Sequence, residues 1–421
     1  MNRIESTVVV SALLAALAPG LVPTIARAET IRIGYIDPLS GPMANVGEAN
    51  LKDVQFAADQ INARGGVLGK TLEIVPIDSK MAPREATVAL KELTDKRIQF
   101  VLHGVSSAVA AALLDAVNKH NDRQPESRIL YLNYASVDNS FTNATCSFWF
   151  FRFAANNDMK VQAEGEAITR DKSIKKVFLI AQDFPTARQG QGELVALLKV
   201  KRPDIQIVGT EFHPLGKVKD FAPYAAEIRD SDADTVVAAA YGNDLTLLIR
   251  TARETGLKVK FHTYYANGLG APEAIGEAGV NRVEVSTEWH NNAVQSPEME
   301  RFYAAFKARY PAPRDDYVSL PAKNTMEMLT RAIAKANSTD PRAVALALEG
   351  MTYQSEVGTV TMRSEDHQLL QPLYISTLQK KGTPGVVHDI DGSGYGFRTD
   401  LRIDARDLVP ATTCKMVRPA K

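Results

Sequence analysis

Short apolar runs alternate with amphipathic stretches at a nearly constant interval, twice over, and few folds accept that pattern. Runs starting at residues 72, 100 and 129 lie 28 and 29 residues apart, and those starting at 205, 235 and 261 lie 30 and 26 apart. Each run is too short for a helix and reads as a strand. The segments between them place apolar residues at helical spacing, as Leu51, Val54, Ala57, Ala58 and Ile61 do. Strands alternating with helices predict parallel sheets covered on both faces. The repeated spacing predicts two similar doubly wound α/β lobes.

Taken in order, the pattern predicts strands over 31–36, 72–78, 100–103 and 129–133, with helices over 47–62, 83–97 and 108–120. A second set follows, with strands over 177–181, 205–210, 235–240 and 261–265 and helices over 190–201, 222–229 and 244–255. Beyond residue 282 come a strand at 283–287 and helices at 297–310, 321–336 and 340–349, which return to cover the first lobe. Strands at 357–364 and 371–379 and a turn-rich loop at 382–396 complete the pattern. Chain crossings near 152–157, 282–289 and 355–370 predict a multi-strand hinge, with Trp289 and His290 as hinge packing. The expected organisation is lobe 1 from 29–153 plus 286–356, lobe 2 from 154–285 plus 357–400, and a tail from 401–421.

Lys+Arg and Asp+Glu both number 49, so no net charge draws the chain to nucleic acid or acidic lipid. A basic start at Arg3, an apolar run over 8–18 and Ala26-Arg27-Ala28 describe a secretory signal peptide over 1–28, cut before Glu29. Export gives the two cysteines a meaning, because a pair in an oxidising compartment is more often bridged than free. The expectation is a Cys146–Cys414 disulfide.

The turn after the strand at 100 carries the first functional hint. Gly104-Val105-Ser106-Ser107 leads straight into an alanine-rich helix, with Ser106 or Ser107 at its N-cap. The first N–H groups of a helix lack partners inside it, and two hydroxyls beside them suit a carboxylate. The same serines could equally do no more than cap the helix. The second half repeats the turn at Tyr241-Gly242-Asn243. In open parallel sheets ligands bind beyond the carboxyl ends of the strands. Two facing lobes would gather Ser106, Ser107, Ser136, Asp183, Tyr241 and Gly242 into one clamp. Asp183 and Asp244 also sit where an N-cap acid is expected, and Tyr264 and Tyr265 alternate across a strand end, so at most one of them can face the cleft.

Enzyme chemistry has little footing. Gly104-x-Ser106-x-Ala108 resembles a nucleophile elbow, which would make a secreted hydrolase using Ser106, but no histidine or acid stands in a matching context. The seven histidines show no metal-ligand spacing, and no glycine-rich phosphate loop is present. Neither a metal nor a cofactor is expected.

The mature chain resembles the periplasmic solute-binding proteins of ABC importers, in the group that includes the leucine/isoleucine/valine-binding protein. The resemblance covers roughly residues 30–400. It rests on Ile33-Gly34 with Pro38-Leu39-Ser40-Gly41-Pro42, on Ile61-Asn62-Ala63-Arg64-Gly65-Gly66, and on Asp78, Gly104-x-Ser106-Ser107, Phe151-Arg152 and Gly242. It implies a two-lobed clamp that closes on a solute, a periplasmic location, a monomer, permease subunits as partners and no chemistry on the solute. Ser106 and Ser107 would hold a carboxylate, Ser136 would help hold it and an amine, and Tyr241 would supply an aromatic wall. The sequence departs where the group carries an acid for the amine, near Tyr264-Tyr265-Ala266-Asn267-Gly268, and Val46 replaces a frequent tyrosine. The resemblance therefore implies a branched-chain amino acid, with an amine-free aromatic or aliphatic carboxylate as the alternative.

Overall fold

The computed structural model describes residues 29–419. The leader expected over residues 1–28 lies outside the described residues. The first sheet contains β1 (Thr30–Asp37), β2 (Thr71–Asp78), β3 (Phe100–His103), β4 (Leu130–Asn133) and β5 (Phe150–Arg152), in the order β2-β1-β3-β4-β5. All its pairings are parallel. The crossovers are α1 (Ala44–Ala63), α2 (Pro83–Asp95) and α3 (Ser107–Arg123). β3 and β4 are buried along their whole length, as near-continuous apolar strands between two helical layers must be.

The chain then crosses into the second lobe through α4 (Asn157–Arg170). There β6 (Lys176–Gln182), β7 (Gln206–His213), β8 (Thr235–Ala239), β9 (Lys260–Thr263) and β10 (Val283–Thr287) are parallel. Helices α5 (Pro185–Lys201), α6 (Ala222–Asp230), α7 (Asn243–Glu254) and α8 (Ala271–Ile275) connect them. The chain next returns to the first lobe. Helices α9 (Pro297–Arg309), α10 (Leu320–Ala336) and α11 (Pro341–Leu348) and the small sheet of β11 (Thr352–Ser355), β12 (Gly358–Met362) and β13 (Leu369–Leu370) join its core. Finally β14 (Leu373–Lys380) and β15 (Tyr395–Ile403) add antiparallel to the second sheet, giving β15-β14-β10-β9-β8-β6-β7.

The crossings are stitched together. Arg152, fully buried, donates from Nε to Gln368 Oε1 at 2.7 Å, and Gln368 and Gln371 donate to the carbonyls of Ala154 and Phe153 at 2.8 and 2.7 Å. These bonds tie the chain around the first crossing to the chain around the third.

Several expected boundaries shift. β10 lies wholly in the second sheet, so the crossing starts after Thr287 and not at 285. Residues 357–370 pack with the first lobe, where Val357, Val360, Met362 and Leu369 join the core, and not with the second. Residues 401–403 belong to β15 and not to the tail. The sequence pattern missed α4 because Lys160 and Glu164 are buried in it, which breaks its amphipathic period.

Cys146 and Cys414 are bridged, with their Cα atoms 5.7 Å apart. The bridge closes a separation of 268 residues and pins the tail, which also hydrogen-bonds Asn143 through the Thr413 N–H at 2.8 Å. Replacing both cysteines by serine is expected to lower stability by at least about 2 kcal/mol, because the unfolded chain loses a long-range constraint. Urea unfolding of the two forms checks this, and coincident midpoints would contradict it.

Candidate functional site

The turn between β3 and α3 is built around the buried Asp37. Its carboxylate accepts the N–H groups of Gly104 and Val105, both at 3.0 Å, and the Tyr134 hydroxyl. His103 Nδ1 stands 2.9 Å from Asp37 Oδ1, and its Nε2 lies 3.0 Å from the carbonyl oxygen of Ser106. Burial disfavours charge on His103, but Asp37 beside it outweighs that and raises its pKa. Ser106 is the N-cap of α3. Its Oγ accepts the Val109 N–H at 3.3 Å, which leaves its own O–H to donate elsewhere. The N–H groups of Ser107 and Ala108 open the helix and have no acceptor within it. Three donors thus converge at the positive end of a helix dipole.

Ser136 behaves differently. Its hydroxyl donates to the Gly104 carbonyl at 2.8 Å, so toward a ligand it can only accept. The hydroxyls of Ser106 and Ser136 therefore have complementary roles, one donating and one accepting.

These residues line a cavity of about 270 Å³ between the lobes. Its far wall is aromatic: Phe184 before α5, Tyr241 after β8, and Tyr264 and Tyr265 after β9. Tyr241 packs edge-on against Phe184 and Tyr265, with centroids 6.4 and 5.7 Å apart. Burial raises the pKa of all three phenols, so they stay protonated at neutral pH. Both Tyr264 and Tyr265 face the cavity, because β9 ends at Thr263 and the alternation stops there. Lys160 of α4 completes this wall. Its Nζ pairs with Glu288 at 3.0 Å and lies 5.3 Å from the centre of the Tyr265 ring. A larger and more open hollow of about 760 Å³ lies between α1 and α7, with neither the serine turn nor the aromatic wall.

Of the expected site residues, Ser106, Ser107, Ser136 and Tyr241 meet in this cavity, and Gly242 lines an adjoining one of about 90 Å³ beside Tyr241. Gly242 adopts φ 63°, which favours glycine and lets the chain turn into α7. Asp183 is the exception: it does not line the cavity, and its carboxylate accepts from Arg188 Nε at 2.7 Å on the outside. Asp244 likewise braces the second lobe, accepting from Gln182 Nε2 and the Gly216 N–H, both at 2.8 Å. Lys160, Glu288 and Tyr317, the last two in a neighbouring recess, escaped the sequence reading. Only the aromatic pair at 264–265 offered a local signal. The hydrolase alternative has no base to support it, since His103 spends Nε2 on the backbone of Ser106 and not on its hydroxyl.

Two α/β lobes and a ligand-sized cavity between facing strand ends define a two-lobed clamp of the solute-binding kind. The family model described as periplasmic binding protein matches residues 30–383, and the chain belongs to that family. Among relatives, it is 30% identical over 410 residues to Leu/Ile/Val-binding protein homolog 4 of Brucella abortus (strain 2308), covering 94% of each chain. It is 26% identical over 354 residues to the leucine-, isoleucine-, valine-, threonine-, and alanine-binding protein of Pseudomonas aeruginosa, covering 83% of this chain and 90% of that one. Among solved structures, the closed form of the leucine-, isoleucine-, valine-, threonine-, and alanine-binding protein from Brucella ovis matches with TM-score 0.81 at 28% identity, covering 93% of this chain and 100% of that one. An ABC-transporter solute-binding protein from Rhodopseudomonas palustris BisB5, in complex with 3,4-dihydroxy benzoic acid, shares the fold with TM-score 0.76 at 19% identity, covering 89% and 98%. The protein is thus a substrate-binding protein of the ABC-transporter type, similar to those for branched-chain amino acids. Among the described residues no helix is long and apolar enough to cross a membrane.

Proposed function

We propose that the protein captures a small carboxylate between its lobes and delivers it to an ABC permease, with branched-chain amino acids as the leading class. The carrying observation is the Ser106–Ser107 helix start, facing an aromatic wall across a cavity that both lobes line. The solute carboxylate takes the Ser106 O–H and the first N–H groups of α3. An amine donates to Ser136 Oγ, and the apolar body packs among Phe184, Tyr241, Tyr264 and Tyr265. Closure about the stitched crossings then covers the solute. The leader over 1–28 fits export to the periplasm, where the chain works as a monomer and a membrane permease with its ATPase recognises the closed form. The names of the Brucella and Pseudomonas relatives support the amino-acid class.

A second reading, an aromatic carboxylate without an amine, has its own support. Glu288, in the neighbouring recess, is paired with Lys160, and Asp138, which lines the cavity, accepts the Ser140 N–H at 2.8 Å through one oxygen. An ammonium would lack the acid that the resemblance leads one to expect near residues 264–268, and several aromatics stand ready to stack on a ring. A melting-temperature panel separates the readings, since a ligand that binds only the native state raises Tm. Leucine, isoleucine and valine are expected to raise it, whereas a response to hydroxybenzoates alone would establish the second reading. A panel of both classes with no response would contradict the carboxylate assignment.

A further inference from the structure

Behind the cavity wall, α4, β9 and β10 bring together Glu164, His262 and Glu284. The strand register sets His262 directly opposite Glu284, so both side chains leave the sheet on one face. Glu164 reaches them from α4. Its Oε1 lies 2.8 Å from His262 Nδ1, and Glu284 Oε1 lies 3.0 Å from the same nitrogen. The three atoms fall within 4.8 Å of one another. Glu164 and His262 are only 1% and 3% exposed, yet none of the three converging atoms makes a hydrogen bond of acceptable geometry. Interior polar atoms left this way are costly and rare. The arrangement calls for a positive centre on which all three can converge without the directional demands of an N–H bond.

We infer that Glu164, His262 and Glu284 form a divalent-cation site, with zinc the ion that this donor set suits best. One imidazole nitrogen and two carboxylate oxygens are a zinc-compatible trio that leaves a position for water. Zinc ligands at ~2.0–2.2 Å stand ~3.3 Å apart in a tetrahedron, so the two separations from His262 Nδ1, 2.8 and 3.0 Å, would open by a few tenths of an ångström to seat the ion. The Ser286 hydroxyl donates to Glu164 Oε2 at 2.8 Å and orients that carboxylate, as an outer-shell partner does. The Glu284 side chain keeps 24% of its surface exposed, which gives the ion a route in. Histidine spacing could not reveal the site, because its ligands come from three separate elements and only one is a histidine.

The site holds the elements that carry the cavity wall. Lys160 lies one turn before Glu164 on α4, Tyr264 follows His262 by two residues, and Glu288 follows Glu284 by four. With no ion bound, the two carboxylates flank the His262 ring. Burial works against charge on His262, but Glu284 and Glu164 outweigh it and push its pKa up to about 10.

The test uses untagged protein purified without chelator. Elemental analysis is expected to find about one equivalent of zinc. After EDTA treatment, added Zn²⁺ is expected to raise Tm by several degrees, an effect lost in His262→Gln and in Glu284→Gln. The second variant keeps the test decisive if the first folds poorly, because Glu284 is partly exposed. One equivalent of another divalent metal, lost in Glu284→Gln, would support the site and correct the ion. No bound metal together with no Tm response would overturn the inference, as would an equal response in wild type and both variants. The cluster would then be a charged imidazolium between two carboxylates.

Discussion

Ser106→Asp is expected to weaken solute binding at least a hundredfold, about 2.7 kcal/mol, while leaving the fold standing. Aspartate caps helices as well as serine does, so the bond to the Val109 N–H survives. A negative charge at the start of α3 also suits the helix dipole. The second carboxylate oxygen, however, occupies the place proposed for the solute's carboxylate. Two like charges about 4 Å apart repel by ~4 kcal/mol at an effective dielectric of 20, which exceeds the expected loss. Ser106→Ala makes the complementary comparison, because it removes both the cap and the donor and costs about 1 kcal/mol of stability. Calorimetry with the solute found in the melting panel, beside the Tm of each variant, reads both effects. Normal binding by the Ser106→Asp variant would move the anion seat away from this turn.

Acid is expected to unfold the protein through His290. This ring is fully buried and its pKa is lowered to about 3 by desolvation. Its Nδ1 accepts the Asn292 N–H at 3.2 Å, so the proton sits on Nε2, beside the hydroxyls of Ser376 and Thr399 at 2.8 and 3.0 Å. Protonating Nδ1 would break the Asn292 bond and bury a charge. The folded pKa lies below the unfolded value of 6.5. The contribution is therefore complete above pH 6.5 and is lost as pH falls toward 3. Full titration is worth ~5 kcal/mol, of which about 3 kcal/mol falls between pH 6.5 and 4. His290→Asn keeps an acceptor for the Asn292 N–H and cannot ionise. Its stability, from urea unfolding across that window, should fall less steeply than that of the wild type by about this amount. Parallel slopes would show that His290 takes up its proton as readily in the native state as in the unfolded one.

The repeated strand–helix interval made both lobes legible, because apolar runs such as Phe100–His103 and Thr235–Ala239 are buried on both faces and leave little ambiguity. The Ser106 turn was legible for a local reason: its capping chemistry is written in adjacent residues. What the sequence hid depends on contacts between distant segments. Lys160 looks like a surface lysine of a weakly patterned helix until Glu288 and the Tyr265 ring are placed beside it. Asp183 looked like a site residue because it follows a strand, and a single nearby arginine turns it outward. Residues 357–370 read as second-lobe strands because they pair with one another and with Thr352–Ser355 in a small sheet of their own, and nothing local shows that Val360, Met362 and Leu369 pack into the first-lobe core.

The central claim is that the helix start at Ser106 and Ser107 receives a carboxylate. A calorimetric cycle tests it directly, comparing the identified solute with its primary amide on wild type and on Ser106→Ala/Ser107→Ala. On the wild type the amide should bind at least tenfold more weakly, about 1.4 kcal/mol. On the double variant the acid should weaken more than the amide, and the gap between acid and amide should narrow without closing, since the backbone N–H groups of α3 remain. Equal affinities of acid and amide for the wild type, or an undiminished gap in the variant, would contradict the account.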